Sequence, residues 1–356
     1  GMSKLRISAI SISVALALTG CAPASTPEAT STPEPVYVTA PLTGIKYEVN
    51  SPQAQNLTKS SVACKIDNSE AARPQLNLNR TDIVFDEMVE GGLTRLVAIW
   101  HSDLPDAVGP VRSIRPMDPD IISPFGGIVC YSGGQAIFTQ MMRNTNVFNA
   151  SETTEQGQGT FSRSKDREAP HNVIVNVLKL SSNHPEIKAP AAQFNYSQDL
   201  TSATAAASGS PVKDFSVYFP SALATWTPNS DQTAWLRTQD KKVHTDAADG
   251  SQLKAVNVVV MQVDVDHSYL DHKYGNVPKD MVIGTGVAYI FTAGKMLQAT
   301  WTKPSRETSI SLALADGTPI TLAPGNTWVE LQPKTEGKLL FTAIKPSATP
   351  TPTKSK

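Results

Sequence analysis

Ionisable residues cluster in the first half of this sequence, at the borders of short apolar runs. Asp67 and Asn68 follow SVACKI, Glu87 lies near the end of DIVFDEM, Glu90 precedes Gly91-Gly92, and Arg95 stands at the start of TRLVAIWH. Arg73 sits in ARPQ, Arg112 and Arg115 in VGPVRSIRP, and His171 and Asn172 in APHNVIV. The forked donors of arginine suit carboxylates and phosphates, so several in one cleft would recognise a pyrophosphate or another polyanion. The alternative is internal pairing with Asp82, Glu87 or Glu90, which would hold loops together. Asp67, Glu87 and Glu90 carry the hard oxygens that Mg²⁺ prefers, yet their spacing matches no ion-binding loop, and strand-end capping accounts for them more simply. His171, Asp67 and Glu90 are the candidates for acid–base catalysis, although a Pro-His-Asn corner also serves to start a helix. The sequence holds no nucleophile elbow, His-Glu-x-x-His, P-loop or dinucleotide fingerprint.

Rigid elements must carry such groups if they are to converge. SVACKI (61–66), DIVFDEM (82–88), TRLVAIWH (94–101) and GIVCY (127–131) are short, β-branched and bounded by turn residues, which predicts strands. GQAIFTQMMR (134–143) repeats apolar residues at helical spacing, and HNVIVNVLKL (171–180) fits either a helix or a buried strand, the helix being preferred. The expectation is an α+β or α/β domain with a mixed sheet over 42–205, then a smaller β-rich antiparallel domain over 206–340. In that second part VDVDHSYLDHKYGN (263–276) reads as a polar loop between strands, a solvated hairpin tip rather than an ion site. KKVHTDAADGS (241–251) sets His244 and Asp246 ahead of an Asp249-Gly250 turn.

The ends of the chain bear on location. Lys4 and Arg6 precede an apolar run through Leu18, and Leu18-Thr19-Gly20-Cys21 fits a bacterial lipobox, with Gly1 an extraneous residue ahead of Met2. Residues 1–21 are therefore expected to be a lipoprotein signal peptide, with Cys21 lipidated and the mature chain anchored to the outer face of a membrane. Residues 22–41 and 341–356, rich in Pro, Thr and Ser, read as a disordered tether and tail. A formal net charge of -1 offers no basic surplus for nucleic acid. Cys64 and Cys130 fit either a disulfide or two buried thiols.

KIDNSEAARPQLNL (65–78), TDIVFDEMVEGGLTRLVAIW (81–100), VGPVRSIRP (108–116), YSGGQ (131–135) and APHNVIV (169–175), with KKVHTDAADGSQLKAVNVVVM (241–261) and PGNTWVELQP (324–333), resemble the YerB-like bacterial lipoproteins. That resemblance implies a two-domain extracytoplasmic lipoprotein and no reaction, since the family is known chiefly as a domain of unknown function. It marks Asp67, Asn68, Arg73, Glu87, Glu90, Arg95, Arg112, Arg115, His171 and Asn172 as the polar signature of the first domain, and His244 and Asp246 as that of the second. More weakly, the first domain is similar to the LytR-CpsA-Psr envelope proteins, with Pro110-Val111-Arg112-Ser113 standing where those carry Pro-Arg-Asp. This weaker resemblance implies arginines and acidic residues that hold a polyprenyl pyrophosphate and Mg²⁺.

Taken together, these readings lead to a membrane-anchored protein that binds an anionic, phosphate- or pyrophosphate-bearing envelope glycolipid or glycan. The alternatives are a Mg²⁺-dependent phosphoglycosyl transferase or hydrolase, and a non-enzymatic scaffold whose second domain offers a strand edge to a protein partner.

Overall fold

The computed structural model describes residues 20–28, 31–273, 275–345 and 350–354. The expected signal peptide lies, up to Thr19, outside the described residues. Ahead of Val36, every described residue is exposed and none is in regular structure, as the Pro/Thr/Ser composition predicts. Order begins sooner than expected, because Tyr37–Thr39 pairs with Lys46–Glu48 and Ala40 is buried. Among the described residues, no helix is long and apolar enough to cross a membrane.

The apolar runs of the first region become β1 (Val62–Asp67), β2 (Ile83–Met88), β3 (Thr94–Trp100) and β4 (Ile128–Cys130). β3 lies antiparallel between β1 and β2, and β4 runs parallel to β1 on its other side. Every residue of these four strands is buried. Near-continuous apolar runs are what a sheet covered on both faces requires. Even-numbered residues of β1 (Val62, Cys64, Ile66) join one core cluster. Ala63 on the opposite face joins the other, together with Phe85, Val97 and Ile99. α1 (Asp118–Ile122) and α2 (Ala136–Arg143) contribute Ile121, Ile122, Phe138 and Met142 to that second cluster.

The stretch 171–180 splits where a helix was expected. Val173–Val175 forms β5 and Val177–Ser182 forms α3, with Asn176 capping the helix through its side chain. β-branched Val173, Ile174 and Val175 suit the extended backbone, and the N-cap preference of Asn resets the chain at 176. VGPVRSIRP threads beside β5: Val108 and Val111 bond to Val175 and Val173, while Pro110 O and Arg112 N bond to Asp67 and Lys65. Gly109 fits there because any Cβ would come within 2.6 Å of the Val173 carbonyl.

The second region is mostly antiparallel: β6 (Ser210–Tyr218), β7 (Leu223–Pro228), β8 (Trp235–Gln239), β9 (Asn257–Asp271), β10 (Gly275–Met281), β11 (Gly284–Thr292), β12 (Lys295–Lys303), β13 (Thr327–Pro333) and β14 (Lys338–Ala343). β14 runs to Ala343, past the expected start of the tail, because β6 hydrogen-bonds along it. β13 joins the two regions by pairing parallel with both β2 and β9. A single 17-stranded sheet thus passes from one region into the other.

Cys64 and Cys130 face each other across β1 and β4, and their sulfurs are bonded, with Cα atoms 4.5 Å apart. The disulfide is fully buried.

Candidate functional site

Strand register creates the site. Asp67 stands opposite Arg95, and Arg95 opposite Glu87, at one end of the β1–β3–β2 sheet. Paired positions project to the same face, so three charged side chains form a row across the sheet. Further along that face lies Lys65, completely buried, which pairs with Glu87 and with Asp118 (2.9 Å). Burial lowers Lys65 to about 8 despite Asp118. Glu87 is thereby consumed inside the protein and does not reach the surface.

Above the row opens a cleft of about 560 Å³ whose wall includes Asp67, Glu90, Arg95, Arg112, Arg115 and His171. Arg115 forks onto Glu90 with two 2.9 Å contacts. Arg112 reaches Asp67 at 3.0 Å, and His171 Nδ1 approaches the same carboxylate oxygen at 2.5 Å. Burial alone would raise the Asp67 pKa, but the Ser69 N–H, His171 and Arg112 hold it below the usual carboxylate value. An ionised carboxylate only accepts, so Nδ1 donates in this contact and Nε2 is the ring nitrogen left outside it. His171 precedes β5 and caps no helix; that role falls to Asn176.

Arg95 differs from its neighbours. It is 9% exposed, its hydrogen bond runs from Nη1 to the Ser113 carbonyl (3.2 Å), and among the described residues no carboxylate stands within ion-pair distance. Burial, with Arg115 and Arg112 adding repulsion, pushes its pKa down to about 9. It remains protonated at neutral pH. Although the register sets Arg95 opposite Asp67 and Glu87, those carboxylates pair with Arg112, His171 and Lys65, which leaves this guanidinium without a counter-charge of its own.

The other signature residues lie beside the cleft. Asn68 is buried and bonded to Thr94 and Gln239, Arg73 bonds to the Asn68 carbonyl and to Asp240, and Asn172 accepts from Arg163. Asp246 accepts from the backbone N–H groups of Asn77 and Asn79, a capping role that ties the second region to the first. His244 braces Asp67 from behind. Its Nε2 meets Gln75 at 2.7 Å, and Gln75 in turn donates to the Asp67 carbonyl. Its Nδ1 meets Arg237, so the ring is held neutral, and burial followed by Arg237 lowers its pKa well below the ordinary value.

The carboxylates that might have gathered around Mg²⁺ do not fit that group: Asp67 faces Arg112 and His171, Glu87 faces Lys65, and Glu90 faces Arg115. Among the described residues, no three metal-ligating side chains come together. Asp118, paired with Lys65, also accepts from the Arg115 N–H at 2.6 Å.

Asp271, read from the sequence as part of a solvated hairpin tip, and Gln135 also belong to the wall of the cleft. VDVDHSYLDHKYGN is strand rather than loop as far as Asp271, and the chain turns at His272 and Lys273 ahead of β10. It carries Asp271 to the rim of the cleft, where the carboxylate accepts from Gln135 Nε2 (2.8 Å) beside the start of α2. The alternation of Tyr269 and Asp271, with Tyr269 against Phe138, was the available signal.

Models of the family "Protein of unknown function (DUF3048)" match residues 42–193 with the N-terminal domain and 215–329 with the C-terminal domain. The chain belongs to the DUF3048 family. Within DUF3048 it is similar to "Putative lipoprotein YerB" of Bacillus subtilis (strain 168), 25% identical over 305 residues that cover 83% of this chain and 86% of that protein. The crystal structure of the B. subtilis YerB protein matches with a TM-score of 0.71 at 20% identity, covering 85% of this chain and 99% of that one. The DUF3048 fold is therefore shared, and both family domains contribute to the cleft: Asp271 comes from the second, and the other residues named in its wall from the first.

Proposed function

We propose that this DUF3048 protein is an extracytoplasmic lipoprotein, lipidated at Cys21, whose cleft binds an anionic ligand of the cell envelope bearing phosphate or pyrophosphate. The location is supported by the buried Cys64–Cys130 disulfide, which persists in oxidising compartments, and by the name of the B. subtilis relative. Cys21 is exposed and free of a disulfide.

One observation carries the ligand class: Arg95 is nearly buried and lacks a carboxylate, although Asp67 and Glu90 neutralise Arg112 and Arg115 beside it. A cation in such a place has lost most of its water and gained in return only the Ser113 carbonyl, with Glu90 and Asp67 acting from beyond ion-pair distance. An anion about 4 Å away would recover on the order of 4 kcal/mol at an effective dielectric near 20. Asp271 at the rim restricts where that anion can enter. Calorimetric titration of the full chain with inorganic pyrophosphate tests the reading. Micromolar binding that weakens at least tenfold in Arg95→Gln supports it; equal binding by the variant, or none by the parent, defeats it.

The Asp67–His171 contact favours a second reading, in which the same ligand is hydrolysed or transferred with His171 Nε2 as base. Slow release of p-nitrophenol from bis(p-nitrophenyl) phosphate that disappears in His171→Asn, with pyrophosphate binding retained, would establish catalysis. Absence of turnover by the parent leaves binding as the function.

A further inference from the structure

We propose that the arginine cleft is one end of a groove for a linear, hydroxyl-rich polyanion, a chain of phosphate-linked polyol or sugar units, rather than a pocket for a single anionic headgroup. The inference rests on the anion reading above and extends it to the ligand's length and repeat.

A second cavity of about 400 Å³ adjoins the first and shares Ser69, Leu93 and Thr94 with it as common wall. Its far side brings Arg73, Gln239 and Lys242, and these same residues border a third cavity of about 280 Å³. Along this line the chemistry alternates. Arg95 and Arg112 come first, the hydroxyls of Ser69 and Thr94 follow, and Arg73 and Lys242 come last. Cation, hydroxyl, cation is the complement of phosphate, polyol, phosphate.

The pairing of Lys242 suits exchange with a ligand. Lys242 meets Glu70 at 2.8 Å with both side chains largely exposed, and Arg73 meets the half-exposed Asp240 at 3.2 Å. The exposed Lys242–Glu70 pair contributes little and opens readily, whereas Arg73 is mostly buried and is also held by the Asn68 carbonyl. Beneath them the floor is fixed, because Asn68 and Gln239 are buried and bonded to each other. The turn over Glu90–Gly92 is fixed as well: Gly92 accepts from the Ser221 N–H, and a Cβ at Gly92 would come within 2.5 Å of Pro220.

The walls argue against other linear polymers. Among the described residues, neither of the two adjoining cavities is lined by Phe, Tyr or Trp, on which bases would stack. Apolar side chains in the second are Leu93 and Ala222, too few for the alternating pockets that grip an extended peptide.

Synthetic glycerol phosphate oligomers of one to six units, titrated into the full chain beside inorganic pyrophosphate and inorganic polyphosphate, test this directly. Affinity is expected to rise at least tenfold from one unit to four. Lys242→Glu is expected to remove most of that gain while leaving pyrophosphate binding unchanged, and Arg95→Gln to weaken both. Length-independent affinity with intact pyrophosphate binding would overturn the groove and spare the anion site. Polyphosphate binding as tightly as a glycerol phosphate oligomer of equal charge would overturn the hydroxyl-rich repeat. Failure of pyrophosphate itself to bind would remove the reading on which the groove rests.

Discussion

The carboxylate of Asp67 and the imidazole of His171, 104 residues apart in the chain, meet at 2.5 Å, with Arg112 held against the same oxygen at 3.0 Å. A strand end, a proline-flanked arginine and a Pro-His corner therefore share one negative charge. Replacing it by a neutral amide, Asp67→Asn, leaves Arg112 without its counter-charge and makes the cleft more positive. Inorganic pyrophosphate should then bind roughly three- to tenfold more tightly, read by calorimetry, since the competing carboxylate is gone. Weaker binding by a folded variant would assign Asp67 a direct positioning role instead.

Arg95 and Arg237 are both buried arginines, and their replacement should have opposite consequences. Arg237 is fully enclosed, pairs with Asp86 at 2.8 Å and lies over the Trp328 ring at 4.6 Å. Arg237→Leu leaves a buried carboxylate without its cation, which typically costs about 3–5 kcal/mol. Arg95→Leu removes a single hydrogen bond together with repulsion from two neighbouring guanidiniums, so its effect should stay within about 1 kcal/mol of zero. Urea unfolding of the two variants measures both. A large loss in Arg95→Leu would mean that this residue is structural.

Acid should destabilise the fold through buried histidines. His101 is fully buried with Nε2 on the Lys59 carbonyl (2.9 Å), and burial lowers its pKa to about 4. An unfolded imidazole titrates near 6.5. Between those values the unfolded chain binds the extra proton, so stability present above pH 6.5 is lost as pH falls toward 4. The loss is on the order of 3 kcal/mol. His101→Asn should flatten the stability–pH curve in that window by a similar amount; because His244 is also held neutral, some slope persists. An unchanged slope would show that His101 is not responsible.

The Cys64–Cys130 bond closes a segment with a sequence separation of 66. Chain-entropy arguments give a loop of this size about 4 kcal/mol of stabilisation. The Cys64→Ala/Cys130→Ala double variant should therefore lower the denaturant midpoint markedly, and reductant should lower that of the parent but not of the variant.

The strands of the sheet were readable because a strand needs only local information: SVACKI, DIVFDEM, TRLVAIWH and GIVCY are β-branched runs with turn residues at their borders, and each became a strand. GQAIFTQMMR was readable as a helix for the same reason. HNVIVNVLKL was not, since a short apolar run fits strand and helix alike, and what settles Val173–Val175 is backbone pairing with VGPVRSIRP and with Phe161–Arg163. The polar signature itself could be named from residue types and the family resemblance, and the Asp249-Gly250 turn from its dipeptide.

Partner choice required the tertiary structure. The sequence left Arg112 and Arg115 the option of Glu87 and Glu90; in the fold Arg115 takes Glu90, Arg112 takes Asp67, and Lys65 takes Glu87. An ion pair depends on which side chains project to the same face at the same height of the sheet, and that is set by strand register across chain separations that composition does not encode. That pairing leaves Arg95 without a carboxylate even though Asp67 and Glu87 stand opposite it, and the long β9–β10 hairpin brings Asp271 to the cleft from the second region. The sequence by itself led to the expectation of a leader and a lipidated Cys21 and named the arginines suited to an anion. Only folding decided which arginine remains uncompensated, because burial and pairing are properties of surroundings rather than of residues.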